Sequence, residues 1–146
     1  MDKLRVGIVG CGLIGNKRAK VITHDSSAEL CCVADTNCAN AQRLIQESDD
    51  KHISAYIDYR EMFQKESLNI VIVAVPNKYL KDVVMEASDR KAHVLCEKPL
   101  GRNILESQEM IQAALRNGNV LKTGFNHRHH PAIWKAHELA ANGVIG

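Results

Sequence analysis

Residues 4–15 read LRVGIVGCGLIG, a short apolar run followed at once by a G-x-G-x-x-G turn. Leu4 to Val9 has the composition of a buried strand and the residues beyond Gly15 have helical character, so the glycines stand at a strand-to-helix junction. In that setting Gly10 makes the tight turn, Gly12 lets the backbone approach a pyrophosphate, and Gly15 lets the helix pack closely on the strand. The backbone around Cys11, Leu13 and Ile14 then offers unpaired N–H groups to a phosphate at the helix N-terminus. A glycine turn alone is weak evidence, because glycines also end strands for steric reasons. Its second half is Asp35, which ends the next strand twenty residues past Gly15. A carboxylate there accepts hydrogen bonds from an adenosine ribose and repels the extra phosphate of NADP. NAD is the expected cofactor. Thr36 and Asn37 leave NADP possible, with Arg43 the nearest cation on the following helix.

Working outward, apolar runs alternate with helix-period segments. Strands are predicted at 29–34, 70–75, 93–97 and 119–125, with a weaker one at 54–57. The unbroken apolar run at 70–75 suits a strand covered on both faces. Leu80, Val83, Val84 and Ala87 fall on one helical stripe, as do Ala41, Leu44 and Ile45. Asn103 and Glu106 have capping-box spacing, and the helix they open should end near Asn117 with Gly118 left-handed. The β-α-β-α order predicts an α/β fold: a doubly wound, mostly parallel sheet of Rossmann type with helices on both faces.

Length and composition narrow the classes. At 146 residues the chain has the length of one domain. Nineteen Lys and Arg against seventeen Asp and Glu give +2 with no basic cluster, so neither nucleic acid nor an anionic membrane is an expected partner. No apolar segment approaches the roughly 18–20 residues of a membrane span, and the chain is placed in the cytoplasm. Five cysteines without a C-x-x-C pair argue for reduced thiols rather than disulfides or zinc.

The most chemical stretch is KAHVLCEKPLG at 91–101. Lys98 leaves a central strand on the same rim as the glycine turn, where a partly desolvated amine hydrogen-bonds a substrate oxygen or shuttles a proton. The plain alternative is a solvated lysine in an ordinary strand-to-helix turn. Glu97 alternates to the other face and is expected to orient its surroundings. Pro99 keeps Lys98 out of helical geometry. His127, His129 and His130 flank Arg128; His127 and His129 would point the same way in an extended segment, but no Cys or carboxylate nearby completes a metal site. Arg128 and His127 suit a substrate carboxylate or phosphate. Trp134 is expected to pack, and no Ser-His-Asp or Cys-His order suggests nucleophilic catalysis.

GIVGCGLIG, VAVPN, HVLCEKPL and GFNHRHHP, in that order, resemble the N-terminal dinucleotide-binding domain of the Gfo/Idh/MocA oxidoreductases. That family includes glucose-fructose oxidoreductase, inositol dehydrogenases and sugar and nucleotide-sugar dehydrogenases. The similarity covers essentially the whole chain, and Glu-Lys-Pro after an apolar strand is its specific part. The resemblance implies that Gly10, Gly12 and Gly15 cradle the pyrophosphate and Asp35 holds the adenosine ribose. It also implies that Pro76 and Asn77 lie near the nicotinamide, Glu97 by its ribose, Lys98 at the reacting substrate oxygen, and Arg128, counted with the cofactor-binding residues, with Pro131 along the cleft beside cofactor and substrate. Two departures stand out: Val75 where the family usually has Thr, and Leu80 where it has His.

Family members are much longer and carry a second α/β domain with substrate contacts. Residues 1–125 are therefore expected to form the dinucleotide-binding domain, and 126–146 a cleft segment and helix leading toward a substrate domain that this chain lacks. Such a fragment or truncated protein is expected to turn over little by itself, and its exposed cleft surface makes a homo-oligomer possible. The full enzyme would act on a small sugar-like molecule, exchanging a hydride with an alcohol or ketone carbon. Two rivals remain open: a non-catalytic NAD(H)-binding or sensing module that works through a partner protein, and an NADP-dependent reductase of another Rossmann family.

Overall fold

The computed structural model describes residues 2–48 and 52–145; Gly146, the last residue of the ANGVIG stretch, lies outside them. Strands and helices alternate: β1 (Leu4–Val9), α1 (Leu13–Thr23), β2 (Ala28–Ala34), α2 (Cys38–Glu47), β3 (Ser54–Tyr56), α3 (Tyr59–Lys65) and β4 (Ile70–Val73) come first. Then follow α4 (Asn77–Asp89), β5 (His93–Cys96), α5 (Ile104–Asn117), β6 (Leu121–Thr123), a 3-10 turn (Asn126–His129) and α6 (Pro131–Ala141). The strands form one parallel sheet in the order β3-β2-β1-β4-β5-β6. The chain thus winds outward from β1 in one direction, then returns to β4 and winds the other way. The reversal between β1 and β4 opens a crevice at the carboxyl ends of the strands, where sheets of this kind bind ligands.

Side chains alternate across each strand, so each face builds its own core. Val6, Ile8, Leu30, Val33 and Ile72 pack under α1 and α2 with Ala19, Ile22, Ala41 and Leu44. On the other face Val9, Val71, Val73, Val94 and Cys96 meet Met62 and Phe63 of α3, Leu80, Val83 and Val84 of α4, and Met110 of α5. Burying each Val, Leu, Ile, Phe or Met is worth about 1.5–3 kcal/mol, which is the main force holding the helices to the sheet. Leu80, where the resemblance leads one to expect histidine, is wholly buried and serves packing.

The Asn103 half of the expected capping box is present, while Glu106 reaches one residue past the N-cap. Asn103 accepts from the Glu106 N–H at 2.9 Å, and the Glu106 carboxylate reaches back to the Arg102 N–H at 2.8 Å. Gly118 is left-handed, with φ 69°.

Several element ends differ from the sequence reading. β4 stops at Val73 rather than Val75, because Ala74 and Val75 pass the glycine turn and Asn77 already opens α4 behind Pro76. β2 ends at Ala34, one residue before Asp35, and β5 at Cys96, before Glu97. β6 is only Leu121–Thr123. Asn119 is spent on the end of α5, its N–H bonding the Ala114 carbonyl at 3.1 Å, and Phe125 turns back onto the Thr123 carbonyl at 2.8 Å.

His127 and His129 do not lie in an extended segment, since the chain curls into the 3-10 turn between Phe125 and His130. Trp134 is 64% exposed rather than packed. No residue of α6 is buried, and the Trp134 indole N–H donates to the Arg128 carbonyl instead of entering a core.

Candidate cofactor site

The glycine turn sits between β1 and α1, and its three glycines are held by different causes. Gly10 has φ 97°, in the region that favours glycine, and a Cβ there would collide with the Ala74 carbonyl. A Cβ on Gly15 would collide with the carbonyl of Gly10, so the fold itself demands glycine at both positions. Gly12 is different. Its φ of −73° and ψ of −164° suit any residue, and a Cβ there would meet nothing within 4 Å. It would project into the cleft, and the space it leaves open fits a pyrophosphate drawn against the backbone.

Around that space α1 begins with N–H groups that have no partner within the helix, no acidic side chain stands in its first turn, and Asn16 braces the loop. The Asn16 amide donates to the carbonyls of Cys11 and Gly12 at 2.8 and 3.0 Å. Leu13 and Ile14 turn exposed side chains outward and offer only backbone to an anion.

Asp35 is built into the turn. Its Oδ2 accepts from the Cys11 N–H and its Oδ1 from the Asn37 N–H, each at 2.8 Å. The Cys11 side chain is fully buried, away from the cleft. Burial and the neighbouring Asp35 charge push its thiol up to about 12, so it stays protonated and serves packing.

A cleft of about 900 Å³ runs from Gly10 and Gly12 past Asp35, between the start of α3 and the first turns of α4. Arg60 lines it, but that guanidinium already lies 4.6 Å over the Tyr59 ring and 3.5 Å from Glu86. Asp35, Asp58 and Asp82 line the same cleft, so its charge is unfavourable to a 2′-phosphate. Arg43 is turned to Asn40 at 3.2 Å and is not among the lining residues.

The rim beyond β5 forms a second group. Glu97 is 8% exposed, and Arg18 of α1 grips its Oε1 through both Nε, at 2.9 Å, and Nη2. The same Nη2 donates to Asn126 Oδ1 at 2.8 Å, so one guanidinium ties α1 to the end of β5 and to the 3-10 turn. Gly124 lies against the Glu97 carboxylate, where a Cβ would come within 2.9 Å of Oε2. Lys98 follows, exposed rather than partly desolvated, with no hydrogen bond or ion pair among the described residues. The Lys98–Pro99 peptide bond is cis. Arg128 is exposed, its guanidinium 5.6 Å from the Phe125 ring centroid.

The fold thus brings Gly10, Gly12, Asp35 and Pro76 to one cleft. Glu97 and Lys98 stand on the β5 rim and Arg128 on the 3-10 turn, outside that cleft. Sequence reasoning missed Arg18, Tyr79, Arg60 and Asp82. The signal for Arg18 was a cation one turn into the dinucleotide helix; the others show only as a polar stripe beside a buried one on α4 and as the start of α3.

Residues 4–125 match the family described as "Oxidoreductase family, NAD-binding Rossmann fold", Gfo/Idh/MocA. The chain belongs to this family. It is an NAD-binding domain of Gfo/Idh/MocA type. Over 98% of its length it is 29% identical to myo-inositol 2-dehydrogenase of Thermotoga maritima and 30% identical to D-glucoside 3-dehydrogenase of Escherichia coli. It spans 42% and 40% of those two proteins. The crystal structure of GenD2 from gentamicin A biosynthesis, in complex with NAD, is 28% identical with a TM-score of 0.88, over 97% of this chain and 40% of that one. Among the described residues no helix is long and apolar enough to cross a membrane.

Proposed function

We propose that this NAD-binding domain serves a dehydrogenase that interconverts a hydroxyl and a carbonyl group on a cyclitol, a sugar or a nucleotide sugar. The observation that carries this reading is Lys98: an amine without a partner among the described residues, on the rim of the sheet, directly after a glutamate that Arg18 holds in place. Gly10, Gly12 and Gly15 with the start of α1 take the pyrophosphate, and Asp35 takes the adenosine ribose. Pro76, Asn77 and Glu97 border the nicotinamide half, and Arg128 faces the substrate. Bound NAD supplies the hydride acceptor. Lys98 donates a hydrogen bond to the substrate oxygen and, on reduction of the carbonyl, gives that oxygen its proton. Arg18, by fixing Glu97, fixes the end of the strand that carries Lys98.

Residues 1–125 act as the cofactor unit, and 126–146 lead toward the substrate-binding part. The substrate class rests on the relatives' names, inositol 2-dehydrogenase and D-glucoside 3-dehydrogenase.

The test is a fusion of this chain to the remaining part of the Thermotoga maritima relative, assayed for NADH formation on inositols and glucosides. The reading expects turnover by the fusion, little by the chain alone, and at least a hundredfold loss in Lys98→Ala, the lower range for general acid-base groups. NADH binding without turnover on any of these substrates favours the sensing module that acts through a partner. A rate indifferent to Lys98→Ala removes Lys98 from the chemistry.

A further inference from the structure

Three carboxylates line the cleft, and two of them are engaged. Asp35 accepts from the turn N–H groups, and Asp58 caps α3 by accepting the Arg60 N–H at 2.9 Å. Asp82 has no hydrogen bond or ion pair among the described residues. Its place on α4 explains why. Leu80, Val83 and Val84 are buried, and Tyr79 and Asp82, three residues apart on one face, form the helix's wall of the cleft together with Val83.

The direction of the ligand follows from the NAD-binding reading of this cleft, on which the inference rests. With pyrophosphate at Gly12 and ribose at Asp35, the adenine lies in the part beyond Asp35. Ile57, Tyr59 and Tyr79 are the large apolar and aromatic residues that line the cleft. Aromatic and aliphatic walls suit the faces of a planar base, and a free carboxylate suits an edge that donates. Adenine presents such an edge in its exocyclic amine, whereas an ionised carboxylate only accepts. Arg60, the cation of the same wall, is committed to Tyr59 and Glu86 and is not free to receive a carbonyl.

We infer that Asp82 reads the exocyclic amine of the cofactor's adenine, so that this cleft selects an adenine dinucleotide over one whose base carries a carbonyl at that position. A hypoxanthine base in the same pose turns oxygen lone pairs toward the carboxylate and loses this hydrogen bond, and it must shift to offer its neighbouring ring N–H instead.

The experiment is calorimetric titration of the whole chain with NAD+ and with nicotinamide hypoxanthine dinucleotide, whose base has a carbonyl in place of the amino group and a proton on the neighbouring ring nitrogen. Wild type should bind NAD+ at least roughly tenfold more tightly, the scale of one hydrogen bond to a charged group. Asp82→Ala should weaken NAD+ to about the level of the hypoxanthine dinucleotide, bringing the ratio near one. Asp82→Asn, whose amide both donates and accepts, should narrow the ratio by improving the hypoxanthine dinucleotide. Asp82 is exposed, so both variants should melt as wild type does. Equal binding of the two dinucleotides by wild type, or equal weakening of both in Asp82→Ala, overturns the assignment and leaves the NAD site standing. Binding of neither by folded wild type overturns the cofactor reading of the cleft and this assignment with it.

Discussion

Gly12→Ala separates what the glycine turn does for the fold from what it does for the cofactor. The new methyl has no heavy atom within 4 Å, and φ −73° with ψ −164° is open to alanine. Gly12 is the N-cap of α1 without a side-chain bond, and alanine is a poorer N-cap than glycine, by up to about 1 kcal/mol. Removing a glycine from the unfolded chain returns about 0.4–1 kcal/mol. The two nearly cancel, so the melting temperature should move by no more than about 3 °C. Binding should respond quite differently, because the methyl occupies the space into which the pyrophosphate must come. Losing charge-assisted hydrogen bonds there, each about 1.5–3 kcal/mol, weakens NADH by roughly tenfold to a hundredfold or more. Gly15→Ala is the control: its methyl would collide with the Gly10 carbonyl, and overpacking of about 1–3 kcal/mol or more should destabilise the fold itself. Thermal melting and calorimetric titration of both variants read the difference. A Gly12→Ala protein that binds NADH like wild type, or one that unfolds, would refute the reasoning.

Other consequences follow from the same geometry. Arg18→Met leaves the nearly buried Glu97 carboxylate unpaired and should cost about 3 kcal/mol in denaturant unfolding, most of it recovered when Glu97→Gln is added. Glu106 is held below the usual carboxylate range by its hydrogen bonds from the Arg102 side chain and backbone. Its stabilisation is therefore complete above the ordinary glutamate value of about 4.3 and is lost as the pH falls through its lower folded value. Melting curves of wild type and Glu106→Gln should accordingly converge in acid and diverge toward neutrality. Burial pushes the Cys11 and Cys96 thiols up to about 12 and that of Cys32 higher still, while Cys38 is exposed. Peptide mapping after brief alkylation of the native chain should find Cys38 modified and those three protected until the protein unfolds.

Much of this architecture was legible in the sequence because it rests on local rules. Strand composition, the stripe of Leu80, Val83, Val84 and Ala87, the Asn103 cap and left-handed Gly118 each depend on residues a few positions apart, and the structure holds them as read. The pairing of the glycine turn with Asp35 was legible because a βαβ unit fixes the distance between the ends of its strands. What stayed hidden depends on elements distant in sequence. Arg18 meets Glu97 across 79 positions, and only the sheet order brings α1 beside the end of β5. The role of Asp35 in bracing the Cys11 N–H was likewise invisible, since spacing locates a carboxylate without saying what already occupies it. The walls of the cleft arise where α3 and α4 converge, which no periodicity in either helix foretells. At the 3-10 turn and α6, apolar residues such as Trp134 suggested packing, but those elements lie off the sheet and bury nothing.

The central claim is that this cleft takes NAD(H), and calorimetric titration of the folded chain with NADH and with NADPH tests it most directly. The three carboxylates that line the cleft, against one committed arginine, predict NADH binding at least roughly tenfold tighter than NADPH. Binding of neither nucleotide, or NADPH binding as tightly as NADH, would contradict the account.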